Sequence, residues 1–128
     1  MNLEQIKTTT GDVFINFLDS EHVRYKTGGV TIDKTTVTSG SDDRKILRAG
    51  SIICEITATG KYGPFDSGAS DGRQTPTMGK CFILADSVDV TFSDAQEGAI
   101  DMARVLIDRL PIKPTEEIKK ALPMISWV

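Results

Sequence analysis

The stretch 47–89, LRAGSIICEITATGKYGPFDSGASDGRQTPTMGKCFILADSVD, constrains the fold more than any other part of the chain. Within it SIICEITAT, residues 51–59, places Ile53, Glu55 and Thr57 on one face and Ile52, Cys54 and Ile56 on the other, and its β-branched content predicts a strand. Gly60-Lys61 then marks a tight turn, and KYGPF begins a return strand, which together spell a β-hairpin. Residues 66–76, DSGASDGRQTP, form a loop of small polar residues around Gly68 and Gly72. Residues 78–92 are apolar and β-rich again, with a break near Asp86. A chain with this centre is committed to a small antiparallel sheet.

The flanks read less uniformly. Residues 1–12 are polar and Thr-rich, without a sustained period. Val13, Ile15 and Phe17 share one parity and Phe14 and Leu18 the other, so a short strand there is apolar on both faces. A turn at DSEH leads to a second strand over 22–26, and Gly28-Gly29 ends it. Residues 30–38, VTIDKTTVT, alternate as a strand or an extended arm, and Ile46-Leu47 pair briefly before Ala49-Gly50 turns the chain. Residues 93–110 carry two patterns. Ile100, Ala103, Ile107 and Leu110 suit a helix, favoured by propensity, while alternation over 100–107 suits a buried strand. Thr115 followed by Glu116 and Glu117, with Lys119 and Lys120 near the end, predicts a short capped helix stopped by Pro123. MISWV, 124–128, reads as a terminal strand.

At 128 residues, 39% hydrophobic and 26% charged, the chain is long enough for one domain around a core. The fold class expected is α+β, mostly β: a small single domain with a hairpin-rich β core, one short C-terminal helix and an extended N-terminal arm. Residues 1–40 are read as arm and strands, and 41–128 as the core. Acids and bases are spread evenly along a chain of net charge -3, so no basic stripe suits a phosphate backbone and direct nucleic-acid binding is not expected. The start lacks the apolar region of a secretory signal, and no run approaches the roughly 20 apolar residues of a membrane span. A cytoplasmic origin follows as the expectation. Cys54 and Cys81 each sit in an apolar run, as free buried thiols do, rather than as a disulfide or a metal pair.

Catalytic chemistry is hard to assemble from these residues. The single histidine, His22, would have to serve any Ser-His-Asp arrangement, and it reads more simply as a solvated side chain beside Glu21. DSGASDG at 66–72 superficially matches a calcium loop, but its third position is Gly68 and its twelfth is Thr77, where the EF-hand needs an oxygen ligand and a bidentate Glu. A surface loop with Asx turns accounts for it. Gly60-Lys61 lacks the earlier Gly and the following Ser or Thr of a phosphate loop, since Glu55 and Tyr62 stand there. Arg44, Lys45 and Arg48 are offset by Asp42 and Asp43. No metal, cofactor or enzymatic activity is expected. A binding or structural role remains, in which residues 13–38 either add a strand to another protein's sheet edge or complete this chain's own sheet.

The order LRAGSI at 47–52, ITATGKY at 56–62, PFD at 64–66, SDG at 70–72 and the apolar strand 81–85 with ADSVDV after it resembles the lambda-like head decoration proteins of tailed bacteriophages. The likeness spans residues 45–128, more weakly through 100–107, 115–122 and MISWV. The resemblance implies a homotrimer on the outer surface of the expanded head, at three-fold sites. There it cements the major capsid protein against internal DNA pressure, as a virion component assembled in the host cytoplasm and not in a membrane. It favours a strand over 100–107. It also implies an N-terminal arm that extends a sheet of the capsid protein, which makes Val13, Phe14, Ile15, Phe17, Val23 and Tyr25 the candidate capsid anchors. Trp127 is a candidate for the trimer or capsid interface, with ordinary core packing as its alternative. A β-rich surface module for a glycan or host protein is the other binding reading; it would need exposed aromatics.

Overall fold

The hairpin expected at Gly60 lies in the middle of the sheet. The computed structural model describes residues 17–19 and 22–128. In chain order its strands are β1 (Arg24–Tyr25), β2 (Val30–Ile32), β3 (Ile46–Leu47), β4 (Ile52–Glu55), β5 (Tyr62–Pro64), β6 (Cys81–Leu84), β7 (Val88–Asp89), β8 (Ala95–Glu97) and β9 (Ala99–Val105), then helix α1 (Glu116–Ala121) and β10 (Ile125–Trp127). Single 3-10 turns occupy Lys34–Thr36 and Ile107–Arg109. Among the described residues the molecule is mostly β with one short helix, and its sheet curls.

The main sheet runs β1-β9-β6-β4-β5-β2-β8, with β10 parallel to β9, while β3 and β7 form a separate antiparallel pair. Residues 100–105 thus belong to a strand. The helical propensity of AIDMARV loses because β9 lies between β6 and β1, where its backbone groups find ladder partners that an isolated helix would have to supply alone.

Closure of the sheet comes from one bent ribbon. Arg24–Tyr25 pairs with β9, and beyond Gly28-Gly29 the same ribbon continues as Val30–Ile32 against β8. On the opposite side only Gly98 separates β8 from β9. The two halves of this ribbon stand at opposite ends of the strand order, so bending it rolls the sheet into a small barrel. Gly29 sits at φ 66°, and a Cβ there would fall 2.7 Å from the Glu97 carbonyl oxygen.

Two apolar clusters result. Val30, Ile32, Ile53, Tyr62, Phe82, Leu84 and Ala99 come from strands all round the barrel and fill it, with the Tyr62 and Phe82 rings 5.8 Å apart. Ile52, Cys54, Cys81, Ile83, Ile100 and Val105 point outward from the central strands and are covered by Phe17 and by Ile118, Ala121 and Leu122 of the helical segment. The central strands are therefore buried on both faces, which is why SIICEI and CFIL are apolar at both parities. Helix α1 is capped as its sequence implies. Thr115 Oγ1 accepts from the Ile118 N–H, acids occupy the first turn and lysines the last.

Residues 30–38 depart from the continuous strand or extended arm expected of them. The Asp33 side chain accepts from the Thr35 N–H and hydroxyl, and the Thr36 hydroxyl donates to the Asp33 carbonyl. These local bonds compete with the ladder and turn the chain after Ile32.

Candidate assembly interface

The flank of β9 is where the described part of the N-terminal region meets the sheet. Two separate pieces cover it. Phe17–Asp19 pairs with its C-terminal half: the Leu106 N–H donates to the Phe17 carbonyl at 2.8 Å, the Asp19 N–H donates to the Arg104 carbonyl at 2.8 Å, and Leu18 bridges Val105. β1 covers the N-terminal half, Arg24 opposite Met102 and Tyr25 opposite Ile100, with a register shift between them. Two cross-strand ion pairs fasten the pieces. Arg104 Nε meets Asp19 Oδ2 at 2.6 Å, and Arg24 grips both oxygens of Asp101 at 2.9 and 3.2 Å. The bond to Asp101 holds the Arg24 guanidinium above its ordinary value. Both pairs are largely exposed and screened by solvent, so they serve alignment more than stability.

β1 is the last strand on its side of the sheet among the described residues, and both its residues are exposed. Such an edge presents backbone groups on which another strand can pair. Among the described residues β10 is a second edge, joined only to β9. Leu18, Val105 and Trp127 stand in one row across three chain segments, and exposed Val128 follows directly after Trp127.

The sequence-derived anchors separate on this frame. Val13, Phe14 and Ile15 lie outside the described residues. Phe17, expected to face a partner, is instead 3% exposed inside the outer cluster. A large aromatic packed into this cluster buries more apolar area on its own sheet than it could while waiting for a partner, and this decides its place. Val23 is half-buried against the same cluster, and Tyr25 is 54% exposed. Trp127 packs partly buried on the cluster, with its buried indole N–H meeting no acceptor among the described residues. Residue-type reasoning missed Phe92 and Ile112, the most exposed large apolar side chains, because a lone apolar residue in a loop carries no pattern.

Away from this edge lies a polar cleft of about 250 Å3, lined by Glu55, Thr57, Gln74, Thr75, Thr77 and Lys80. Glu55 is already engaged: it accepts from the Tyr62 hydroxyl at 3.4 Å and faces Lys80 Nζ at 3.7 Å. Burial, and then the Glu55 charge, push the Tyr62 phenol up to about 12. The cleft thus offers threonine hydroxyls and a paired carboxylate. Its wall, the loop 66–76, is knitted to the hairpin. The Asp66 carboxylate accepts from the Gly68 N–H, Arg73 clasps Asp71, and Arg73 also donates to the Pro64 carbonyl at 3.2 Å. These are the Asx turns expected of DSGASDG. Among the described residues no group of three or more His, Cys, Asp or Glu side chains is placed to hold a metal, and no helix is long and apolar enough to cross a membrane.

Comparisons with family models, with curated proteins and with solved structures return no match for this chain.

Proposed function

We propose that this protein is a capsid decoration protein, which binds the outer surface of an expanded phage head as a trimer at three-fold sites and holds neighbouring capsid subunits together. The observation that carries the reading is the open sheet edge formed by Phe17–Asp19 and β1, directly after the apolar segment 13–15. An edge strand continuous with an apolar N-terminal segment suits β-augmentation, in which main-chain bonds to a partner sheet supply affinity and alternate side chains supply specificity.

The sequence resemblance supports the same reading, because its central motifs fall in order on the hairpin, the loop and the strand in the middle of the main sheet. ITATGKY turns the β4–β5 hairpin, PFD leads into the knitted loop, SDG lies within it, and the apolar run after it is β6. On this reading Val13, Phe14 and Ile15 seat on the capsid protein, Tyr25 lies at the rim of the contact, and Phe17 is the hinge pin that fixes the start of the arm to its own domain. Three arms from one trimer act at high effective concentration once the first is seated, so modest single contacts combine into firm attachment.

The test is co-sedimentation of the purified protein with expanded, undecorated heads. Full-length protein pellets with the heads, and a chain lacking residues 1–16 stays in the supernatant. If the shortened chain decorates as well as the full one, the arm is not the attachment device. If neither binds, the decoration reading fails.

A further inference from the structure

Cys54 and Cys81 stand directly opposite one another on β4 and β6, and both are 1% exposed. The adjacent pair, Glu55 and Lys80, is joined by a ladder hydrogen bond from the Glu55 N–H to the Lys80 carbonyl. Ladder bonds alternate along an antiparallel pair, so the cysteines occupy a non-hydrogen-bonded position, where opposing Cα atoms are about 4.5 Å apart and side chains come closest. That separation lies within the range a disulfide spans. The two Sγ atoms are 3.8 Å apart, already in contact, and both side chains leave the same face of the sheet. We propose that these two thiols are an oxidation site, at which a hydroperoxide converts them to a disulfide that ties β4 to β6.

The chemistry balances with hydrogen peroxide as the oxidant. The Cys54 thiolate attacks one peroxide oxygen, the O–O bond breaks, and hydroxide leaves, giving Cys54 sulfenic acid. The Cys81 sulfur then attacks the Cys54 sulfur, the S–O bond breaks, and the departing hydroxide takes the Cys81 proton as water. Overall two thiols and one peroxide give one disulfide and two waters. The order of events follows from the site. The hydrogen bond with Cys81 lowers the Cys54 thiol against the effect of burial, aided by the Arg73 charge, whereas the same bond and burial raise Cys81. Both thiols are 1% exposed, which favours a small oxidant over larger disulfide reagents. After the first step the resolving sulfur is already in contact, so a bridge outruns further oxidation of Cys54.

The bridge would join positions 27 residues apart and remove closure entropy from the unfolded chain. A protein assembled in a reducing cell would gain it after release into an oxidising medium, tightening a particle component once folding and attachment are complete. That consequence rests on the decoration reading; the thiol chemistry does not.

The experiment treats full-length purified protein with excess hydrogen peroxide and follows intact mass, thiol titration after denaturation, and non-reducing gels. The expected product has lost both thiols together and the mass of two hydrogen atoms, runs as a monomer, and melts roughly 10 °C higher than the reduced protein. Cys54→Ala and Cys81→Ala, each checked for a wild-type circular dichroism spectrum, give no such product. Retention of both thiols in folded protein while the urea-unfolded chain reacts would overturn the proposal. So would oxygen added separately to each sulfur, or a bridge between two chains. Co-sedimentation of the reduced protein with heads reads the decoration proposal by itself, so a protein that bridges without binding heads and one that binds without bridging are distinct results.

Discussion

At the scale of single residues, Gly29 carries the sharpest constraint. Its φ of 66° is one that side chains other than glycine's rarely adopt, and the space a Cβ would need is taken by backbone, the Glu97 carbonyl. Gly60 has a similar φ of 75°, but nothing lies within 4 Å of its missing Cβ. The two positions separate conformational cost from steric cost. Gly60→Ala should lose about 1 kcal/mol, the ordinary left-handed penalty, and Gly29→Ala about 3 kcal/mol or more, because the β1–β2 and β8–β9 ribbon must also spread. Urea unfolding of the two variants beside the wild type measures the difference, and equal losses would mean that the ribbon yields freely at its bend. Both glycines were legible as turn formers, but their difference was not, since it depends on what packs against the turn. The same holds for Phe17. Val13 and Ile15 share its parity, and nothing local tells that Phe17 enters the outer cluster.

At the scale of elements, those set by nearby residues could be read directly. The β4–β5 hairpin, the Thr115-capped helix and the terminal strand all carry their instructions within a few positions. β8 could not be read. Ala95–Glu97 has no β-branched residue, and it is a strand only because Val30–Ile32 lies alongside, 67 positions earlier at Val30 opposite Glu97. The small β3–β7 sheet falls between these cases, with Ile46-Leu47 readable as a brief pair and its partner fixed by distant bonds. Asp89, the last residue of β7, accepts from the Thr91 hydroxyl and N–H and from Arg44, and these bonds hold its carboxyl at about 2 against an ordinary 3.8. The folded-state value lies below the unfolded one, so the carboxylate's contribution is complete above pH 4 and is lost as pH falls through 2. Asp89→Asn keeps an acceptor for Thr91 but removes the charge. Its stability should therefore decline less steeply than the wild type's between about pH 4 and pH 2, as followed by urea midpoints across that range. Parallel declines would show that the Asp89 bonds are not maintained in solution.

At the scale of the whole molecule, the fold depends on which part of the N-terminal region belongs to the domain. The mostly β class and the β4–β5 hairpin could be read from residues 47–128, but the strand order and the rolling of the sheet could not, because both halves of the closing ribbon come from segments with weak patterns of their own. The candidate interface was legible only as a region for the same reason. Side-chain type marked residues 13–25 as apolar, and the long-range pairing with β9 then assigned Phe17 to the domain and left Tyr25 exposed. Two truncations test that division. A chain starting at Phe17 retains the Phe17 side chain, the Leu18–Val105 bridge, β1 and both ion pairs on the β9 flank. A chain starting at Gly29 loses all of them. Removal of the Phe17 side chain alone should cost about 3–5 kcal/mol, a large part of a total stability near 5–15 kcal/mol. The backbone of β9 is uncovered as well, leaving ladder donors such as the Lys26 and Asp19 N–H groups gone from the Ala99 and Arg104 carbonyls. Relative to the chain starting at Phe17, the one starting at Gly29 should melt at least about 10 °C lower or lose its cooperative transition. Thermal unfolding followed by circular dichroism decides it. Equal melting of the two chains would assign 17–28 to the arm, and the attachment surface would then extend to β9 itself.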